Sequence, residues 1–401
     1  MKKIRFALVG LGAIGQERLL VYKELMRKRN VELVAICDKS EEKCKLAINQ
    51  IKVPYYQDME EMLKKQKNID VVDICTPHFN HHVLGKIAAE HGKHVFVEKP
   101  LSLTLPCADL LIKTCKKANV YLGCGENYFR MPNDRVAIKL LQSGIIGEVT
   151  RAYAVDKAIR SRSPLYPAEW QKVLGLAGGG HCLEIGIHRM SQLRLYINSE
   201  ADSVVGLTKV FGNSLESWGH AIIKFKNNAV GIYDGEDFIE KKISTSVIGP
   251  YNQVIGSKGT ILIDSFGVHL YLITEKWAEH KEIPIVRITQ KMNNKEVLNK
   301  IIVKTEPLII WENPFRDCPF NDYLIGIADE IIDMANSVLN DRSPEYDGIQ
   351  GRKDLELVEA LYESSLKGMY PVRLPITIMT LYEQKVHEAY KEKFGHDPLE
   401  V

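Results

Sequence analysis

The chain lacks an excess of charge of either sign and any long apolar run, and each absence excludes a class of protein. Its 401 residues include 53 Lys and Arg against 51 Asp and Glu, which gives a formal net charge of +2. A nucleic-acid binder would normally carry a basic excess or a basic stripe. No uncharged apolar run approaches the roughly 20 residues that a membrane-spanning helix needs. We therefore expect neither a nucleic acid nor a membrane as a partner.

Closely spaced cysteine pairs are also missing. The eight cysteines are scattered, with no CxxC spacing, which predicts reduced and mostly buried thiols in a cytosolic protein. The first residues, Met1-Lys2-Lys3 before an apolar stretch, superficially resemble a secretion signal. However, Arg5 and three glycines interrupt this stretch, and no small-residue cleavage site follows it. We predict a cytoplasmic location.

A regular alternation of short apolar runs and amphipathic helical patterns occupies the first third of the chain. With 45% hydrophobic residues, a chain of this length suggests two domains. The alternation predicts a parallel sheet with helical crossovers, which is a doubly wound α/β Rossmann domain, over residues 1–125. The predicted strands are Ile4–Gly10, Val31–Cys37, Ile69–Cys75, His94–Val97 and Val120–Gly123, and the predicted helices are Gln16–Arg29, Ser40–Gln50, Val83–His91 and Leu105–Ala118.

The pattern becomes rich in β-strands from Glu126 onward. Closely spaced strands separated by turn residues predict an α+β domain over residues 126–375, with a large, mostly antiparallel sheet for substrate binding and oligomerisation. The helices Tyr323–Leu339 and Gly348–Lys367 are expected to cover one face of this sheet. The predicted strands are Val149–Asp156, Ser203–Lys209, His220–Phe225, Ala229–Tyr233, Thr245–Val247 and Thr260–Asp264.

Two segments fit this plan less well. Residues 271–319 are charged and poorly periodic, and we predict that they form an arm or lid at the sheet edge. Residues 376–401 carry apolar side chains at helical spacing up to Gly395, which predicts a C-terminal helical extension.

A glycine motif stands at the junction of the first predicted strand and helix. Gly10, Gly12 and Gly15 form G-x-G-x-x-G, which gives a tight turn, a close approach for a pyrophosphate and close packing of helix on strand. Asp38 ends the second strand about 20 residues later, where a carboxylate accepts hydrogen bonds from an adenosine ribose. Its charge would repel a 2′-phosphate, so NAD is favoured, while the neighbouring Lys39 leaves NADP possible. The expected cofactor contacts include Ala13 and Ile14. The alternative, purely structural interpretations are a turn at the glycines and a helix cap at Asp38.

Two further stretches carry reactive side chains. Lys99 follows the fourth predicted strand, and ligands of doubly wound sheets bind at the carboxyl ends of the strands. An ammonium group there would polarise a hydroxyl and stabilise a developing alkoxide, although a random lysine usually lies on the surface. If the stretch after Gly180 is helical, Glu184 and His188 share a face and supply a carboxylate and a general base.

Clusters of potential metal ligands offer a competing interpretation. His181, Cys182, Glu184 and His188 lie close together, but Cys182 points away on a helix and no distant Cys/His pair completes a zinc pattern. We therefore expect no metal. A second cluster, His78, His81 and His82, is expected to cap the following helix or to contact the cofactor.

In this combination the motifs resemble those of the Gfo/Idh/MocA oxidoreductases, a family that includes glucose–fructose oxidoreductase and inositol dehydrogenases. The resemblance extends from Ile4 to about Pro375, and its motifs are the glycine triplet, Asp38, Thr76-Pro77, His81, Glu98-Lys99-Pro100 and the GGGxxxExGxH stretch. It implies hydride transfer between a nicotinamide and a secondary hydroxyl of a sugar, glycoside, sugar derivative or cyclitol. Members are commonly dimers or tetramers.

The resemblance also implies roles for individual residues. Lys99 takes the position of the catalytic lysine and His188 that of the proton-transferring histidine. Glu184 stands where the family usually has Asp, so its role in orienting His188 or the substrate is open. The Lys99-Pro100 bond is expected to be cis. Cofactor contacts are expected at Thr76, Pro77, His81, Glu98 and Lys99, and substrate contacts at Lys99, Asn127, Arg160, Arg162, Trp170, Glu184 and His188.

Two other functions use the same scaffold. In a glycosidase or lyase that recycles NAD, transient oxidation to a 3-keto intermediate would acidify a neighbouring proton and permit elimination. A nucleotide-sensing regulator would bind the cofactor without catalysis. The presence of Lys99 and His188 argues against the regulator.

Overall fold

The computed structural model describes residues 2–158, 168–210, 215–237, 249–276, 279–292 and 294–401. The predicted strand Thr245–Val247 and the predicted substrate residues Arg160 and Arg162 lie outside these ranges. All eight cysteines are buried and unpaired. Within the described ranges, no helix has both the length and the apolar character needed to span a membrane.

The first part of the chain forms a six-stranded parallel sheet in the order β3-β2-β1-β4-β5-β6. Its strands are β1 (Ile4–Val9), β2 (Val31–Cys37), β3 (Tyr55–Tyr56), β4 (Val71–Ile74), β5 (His94–Glu98) and β6 (Leu122–Gly125), and its helices are α1 (Ala13–Lys28), α2 (Glu41–Ile48), α3 (Met59–Lys65), α4 (His81–Glu90) and α5 (Leu105–Lys117). The doubly wound α/β prediction is confirmed, although β3 and α3 were too short to be predicted. The strand order reverses between β1 and β4, which opens a crevice at their carboxyl ends.

The outer edge of β6 is not free. The Cys124 backbone nitrogen donates a hydrogen bond to the Tyr346 carbonyl oxygen over 2.9 Å, and Gly123 forms a β-bridge with Asp347. The nucleotide-binding sheet is thus joined at this edge to backbone from the second part of the chain.

The second part contains a mixed nine-stranded sheet and a separate three-stranded sheet. The elements are α6 (Pro132–Gln142), β7 (Val149–Ala158), α7 (Leu174–Ala177), a π-helical turn (Cys182–Gly186), α8 (Ile187–Ile197), β8 (Ala201–Lys209), β9 (Trp218–Phe225), β10 (Val230–Asp237), β11 (Tyr251–Gly256), β12 (Gly259–Ile263), β13 (Val268–Ile273), β14 (His280–Ile283), β15 (Ile285–Met292), β16 (Lys295–Val303), β17 (Ile309–Glu312), α9 (Asp322–Leu339), α10 (Gly348–Leu366), β18 (Val372–Arg373) and α11 (Leu381–Phe394). The larger sheet has the order β14-β13-β12-β11-β7-β10-β9-β8-β18. Adjacent strands in this sheet are antiparallel, except for the parallel pair β7 and β10. The prediction of a mostly antiparallel sheet is therefore confirmed.

The prediction that both late helices cover this sheet is half correct. Helix α10 packs against β8, as expected, whereas α9 packs against α1 of the nucleotide-binding part. The reason is a buried charge pair: Glu330 on α9 lies 2.8 Å from the Arg18 guanidinium on α1, and both side chains are almost fully buried. This pair directs α9 to the first sheet.

The charged, poorly periodic segment of residues 271–319 supplies strands at the edge of the large sheet. Strand β14 is the last strand of that sheet, and β15, β16 and β17 form the three-stranded antiparallel sheet beside it. The location at the sheet edge is therefore as predicted. The segment also contacts the nucleotide-binding part, since Arg29 donates hydrogen bonds to the Asp317 carboxylate over 2.7 and 3.0 Å.

The C-terminal extension is helical, as predicted, and binds to the nucleotide-binding part. His387 on α11 lies 2.9 Å from the Thr104 hydroxyl and 3.0 Å from the Asp397 carboxylate. The Glu383 carboxylate accepts a hydrogen bond from the Leu105 backbone nitrogen at the start of α5. Because Thr104 is fully buried, the Thr–His–Asp arrangement anchors the extension and gives no access to a substrate.

This anchor gives a stability prediction. Replacing His387 with alanine leaves the buried Thr104 hydroxyl without its partner, so the free energy of unfolding should fall by about 1–3 kcal/mol. Urea denaturation followed by circular dichroism measures the change. Lys391→Ala, at an exposed position of the same helix, is the matched control. Equal stability of the two variants would contradict the prediction.

Candidate active site

The glycine motif forms a cradle at the carboxyl end of β1. Gly10 has a φ of +96°, and a Cβ atom there would lie 2.4 Å from the Cys75 carbonyl oxygen. A Cβ atom on Gly15 would lie 2.1 Å from the Gly10 carbonyl oxygen, whereas one on Gly12 would meet nothing within 4 Å. The turn is therefore tight on its inner side and open on its outer side. The open side leaves the α1 N-terminus accessible to a pyrophosphate.

Two buried polar atoms, on the loops that follow β4 and β6, have no hydrogen-bond partner among the described residues. The Thr76 hydroxyl and the Asn127 amide nitrogen are buried and unpaired with respect to the described residues. Buried polar groups are normally paired, so these two atoms indicate a bound polar group. Together with the glycine cradle they fit a dinucleotide. Residues Ala13 and Ile14 begin α1, and Pro77 precedes a short 3₁₀ turn, His78–Asn80.

Asp38 holds the glycine loop in place. One carboxylate oxygen accepts a hydrogen bond from the Leu11 backbone nitrogen over 2.7 Å, and the other accepts one from Ser40 over 2.8 Å. Each oxygen keeps a lone pair for a ribose hydroxyl. Lys39 beside it is exposed. The site therefore favours NAD by its negative charge.

Asp38→Asn should weaken NAD binding about 10- to 100-fold, because an acceptor is kept for Leu11 while a charged hydrogen bond to the ribose is lost. NADP binding should weaken less or improve, since the charge that repels the 2′-phosphate is gone. Calorimetric titration with each cofactor measures both constants. Equal losses for NAD and NADP would contradict this role of Asp38.

Lys99 is positioned by Glu98, the preceding residue, which also bonds α1. The Glu98 carboxylate accepts hydrogen bonds from Arg18, over 2.8 Å, and from the Lys99 backbone nitrogen, over 3.0 Å. Arg18 is fully buried and also lies near Asp73. The Lys99-Pro100 bond is cis, as the resemblance implied. Glu98, predicted as a cofactor contact, thus connects Lys99 to the core of the nucleotide-binding part.

The Lys99 side chain reaches across to the second part of the chain. Its Nζ atom donates a hydrogen bond to the Glu184 carbonyl oxygen over 2.6 Å and lies 3.6 Å from a Glu184 carboxylate oxygen. The other carboxylate oxygen lies 3.2 Å from Nε2 of His78. Trp170, predicted as a substrate contact, touches the His78 ring at 4.7 Å between centroids. Lys99, Glu184 and His78 therefore form one group.

The predicted pairing of Glu184 with His188 is wrong. Both oxygens of the Glu126 carboxylate lie 2.7 Å from His188 Nδ1. The physical reason is the π-helical turn at Cys182–Gly186, because its wider turn rotates Glu184 away from the residue four positions later. The Glu216 carboxylate starts this turn by accepting hydrogen bonds from Gly180 and Cys182 backbone nitrogens.

The histidine and its carboxylate are buried together. Burial lowers the pKa of His188 well below its usual value, and the charge of Lys99 lowers it further. Burial raises the pKa of Glu126 to about 7. The Tyr128 ring lies parallel to the His188 ring at 3.8 Å between centroids. His188 is thus a neutral imidazole in a fixed plane, with its Nδ1 proton donated to Glu126.

The other histidines of the sequence cluster do not cap α4. Nδ1 of His81 lies 2.8 Å from the Pro100 carbonyl oxygen and Nε2 lies 2.7 Å from that of Thr76, so this ring connects the two loops. Burial lowers the pKa of His81 to about 3. His82 bonds the Pro398 carbonyl oxygen. The described residues contain no group of three or more His, Cys, Asp or Glu side chains suited to a metal ion.

Sequence reasoning assigned no role to Tyr128 and treated His78 only as a cap or cofactor contact. Asn127 was expected only as a substrate contact, and Glu126 was not linked to His188. The available signal was position: Glu126 directly follows β6, and His78 follows β4. Both strands end at the crevice.

Family models match both parts of the chain. Residues 4–126 match the oxidoreductase family model with an NAD-binding Rossmann fold, and residues 138–374 match the C-terminal α/β domain of the same family. The two matches leave only short stretches at the ends and between the domains.

Individual relatives have low sequence identity to this chain. Myo-inositol 2-dehydrogenase of Thermotoga maritima is 29% identical over 68% of this chain and 79% of its own length. Levoglucosan dehydrogenase of Pseudarthrobacter phenanthrenivorans is 31% identical, but over only 34% of this chain and 35% of its own length.

Solved structures share the fold at low identity. A levoglucosan dehydrogenase bound to NADH and levoglucosan has a TM-score of 0.76 and 19% identity over 94% of this chain and 100% of that chain. The WlbA dehydrogenase of Bordetella pertussis, bound to NADH and UDP-GlcNAcA, has a TM-score of 0.73 and 21% identity over 94% and 99%. With both domain models matched in order, the chain belongs to the Gfo/Idh/MocA family of oxidoreductases and carries that family's NAD-binding Rossmann domain.

Proposed function

We propose that the protein is an NAD-dependent dehydrogenase that oxidises a secondary hydroxyl of a sugar, a sugar derivative or a cyclitol. The observation that carries this proposal is the convergence of Lys99 and His188, which come from different parts of the chain. The Lys99 ammonium bonds the Glu184 carbonyl oxygen in the π-helical turn, and α8, which carries His188, begins directly after that turn. Relatives named for myo-inositol and levoglucosan support the substrate class.

The proposed roles follow from donors and acceptors. Neutral His188 uses Nδ1–H toward Glu126, so Nε2 is its acceptor and takes the hydroxyl proton. Lys99 donates a hydrogen bond to the substrate oxygen and stabilises the developing alkoxide. When bound, NAD would supply the hydride acceptor. The Glu126 carboxylate stabilises the imidazolium that forms on His188.

Glycine and hydroxyl groups would hold the cofactor. The α1 N-terminus and Gly12 would face its pyrophosphate, and Asp38 its ribose. The Thr76 hydroxyl and the Asn127 amide, which have no partner in the part of the chain that the structure describes, would hydrogen-bond polar groups within the crevice. Trp170, beside His78, would exclude water from one side.

A substrate panel tests the proposal. Purified protein is incubated with NAD and a series of compounds that includes myo-inositol, levoglucosan and common aldoses, and absorbance of the reduced nicotinamide is recorded. Production of NADH in proportion to the oxidised compound supports a dehydrogenase. Conversion of a glycoside without net NADH would favour the NAD-recycling glycosidase or lyase. Absence of both reactions across the panel would favour a nucleotide-sensing regulator.

We further propose a homo-oligomer, a dimer or tetramer, formed through the outer face of the nine-stranded sheet. Ile222 on β9 is 57% exposed, and it pairs across strands with Ile232, which pairs in turn with Tyr153. This apolar row spans three strands, and such a face favours self-association.

Ile222→Glu should shift the mass measured by light scattering toward the monomer. Lys45→Glu, on the exposed face of α2, should not.

We also propose that the protein works in the cytoplasm. The support is chemical, because eight buried thiols without a disulfide suit a reducing compartment. Fractionation of the native cells, with detection by antibody, checks the location.

A further inference from the structure

The His188 ring is held at one edge by a carboxylate. Both oxygens of Glu126 lie 2.7 Å from Nδ1 of His188, so this edge of the imidazole ring is fixed. A ring that is held at one edge can still tilt, and a tilt redirects the lone pair of Nε2 on the other edge. Because proton transfer requires a well-aligned hydrogen bond, the plane of the ring matters for catalysis.

The face of the same ring is covered by Tyr128. The Tyr128 and His188 rings lie 3.8 Å apart between centroids, with an angle of 3° between their planes. A tilt of the imidazole would push one of its edges into the tyrosine ring and separate the opposite edge from it, which loses dispersion contacts. Tyr128 thus supplies the restraint on the ring plane that the Glu126 contact lacks.

The backbone that carries Tyr128 is itself fixed. The Tyr128 backbone nitrogen donates a hydrogen bond to Oε1 of Glu126 over 2.9 Å, so one carboxylate joins this backbone to the histidine. Tyr128 begins a 3₁₀ turn that ends at Arg130. The Arg130 side chain is only 2% exposed and contacts the Asp329 and Asp333 carboxylates on α9 over 3.2 and 3.1 Å. The turn after β6 is therefore anchored at both of its ends.

We propose that Tyr128 is a positioning residue that sets the plane of the His188 ring and thereby aims Nε2 at the substrate hydroxyl. The inference rests on the proposed dehydrogenase function, in which Nε2 takes the hydroxyl proton. The face of the Tyr128 ring performs this role, and its hydroxyl group does not. Phenylalanine should therefore replace tyrosine at this position, whereas an aliphatic side chain should not.

The first test is independent of any substrate. An aromatic ring shields nuclei that lie over its face, so the carbon-bound ring protons of His188 should resonate upfield of those of an unstacked histidine. Nuclear magnetic resonance of isotope-labelled histidine, with His188→Gln to assign the signal, measures this shift. We expect the upfield shift in the parent protein and in Tyr128→Phe, and its loss in Tyr128→Leu. Unshifted ring protons in the parent would overturn the proposal without affecting the assignment of the function.

The second test measures catalysis with the substrate identified by the panel. Tyr128→Leu should lower kcat at least about tenfold with little change in KM, because proton transfer loses its alignment. Tyr128→Phe should stay within about twofold of the parent, since the stacked ring is kept. The matched control is Tyr121→Leu, which removes a tyrosine stacked on His94 at 5.2 Å between centroids and should leave kcat unchanged. Equal losses in the phenylalanine and leucine variants at position 128, or a loss confined to KM, would contradict the proposal.

The third test uses the fact that a positioning residue acts only through the residue that it positions. Tyr128→Leu added to His188→Gln should therefore lower the remaining rate by no more than about twofold. A structural role beside Arg189, whose guanidinium lies 5.6 Å from the Tyr128 ring centroid, would give the same loss in both backgrounds and overturn the proposal. A Tyr128→Leu variant as fast as the parent would refute this inference alone, whereas failure of the proposed function would show as an absence of NADH formation in the parent protein itself.

Discussion

Replacing Lys99 with methionine is expected to lower kcat about 100- to 1,000-fold, because the ammonium that stabilises the substrate oxygen is lost while most of the side-chain volume stays. Stopped-flow recording of NADH formation with the substrate from the panel measures the effect. NAD affinity should fall less than kcat, since the cradle at Gly10 and Gly15 is on another loop and Lys99 is only one of the expected cofactor contacts.

A matched control distinguishes the effect of removing the Lys99 charge from the effect of removing a lysine charge elsewhere in the protein. Lys64→Met removes a lysine that is 65% exposed on α3, and it should leave kcat unchanged. Lys99→Arg tests geometry, because a planar guanidinium does not replace a compact ammonium at a close contact. If Lys99→Met retained more than about a tenth of the parent kcat, Lys99 would not stabilise the transition state.

Replacing His188 with glutamine is expected to lower kcat about 100- to 10,000-fold, because proton removal from the hydroxyl loses its acceptor. His188 is only 3% exposed, so glutamine is chosen to preserve volume. Thermal unfolding of the variant checks that the fold is kept. A variant that unfolds at the parent temperature and still turns over at the parent rate would remove His188 from the mechanism.

Glu126 adds a pH dependence to this prediction. Its pKa is raised to about 7 by burial, so it becomes charged as the pH rises through that value. Only the charged form stabilises the imidazolium on His188, and the oxidation rate should therefore increase as the pH rises through about 7. In Glu126→Gln that increase should disappear and the rate at high pH should be lower. An identical pH profile in the variant would contradict the pairing of Glu126 with His188.

The parts of the site that were predictable are those set by local sequence. The three glycines, Asp38 and Lys99 each follow a strand of the parallel sheet, and the carboxyl ends of such strands meet at one edge. Knowing the strands is therefore enough to bring these residues together. The roles given to Lys99 and His188 remain predictions, as do the domain boundaries at residues 125 and 375.

The parts that were not predictable depend on departures from regular geometry. Helical spacing placed Glu184 beside His188, and one π-helical turn removed that relation and left Glu126 as the partner. A change of hydrogen-bond spacing from four residues to five within one turn is not visible in a pattern of apolar side chains. The predicted location of α9 was wrong for a related reason. A buried Arg18–Glu330 pair directs this helix to the first sheet, although its apolar face would also suit the large sheet.

The bond between β6 and the Tyr346 backbone has a consequence for how copies of the protein meet. Open sheet margins recruit strands from other chains, which leads to swapping and fibrils. In the six-stranded sheet one margin is only the two residues of β3, and the other is already occupied from within the same chain. Both margins of the nucleotide-binding sheet are thus poor templates for a strand from another chain.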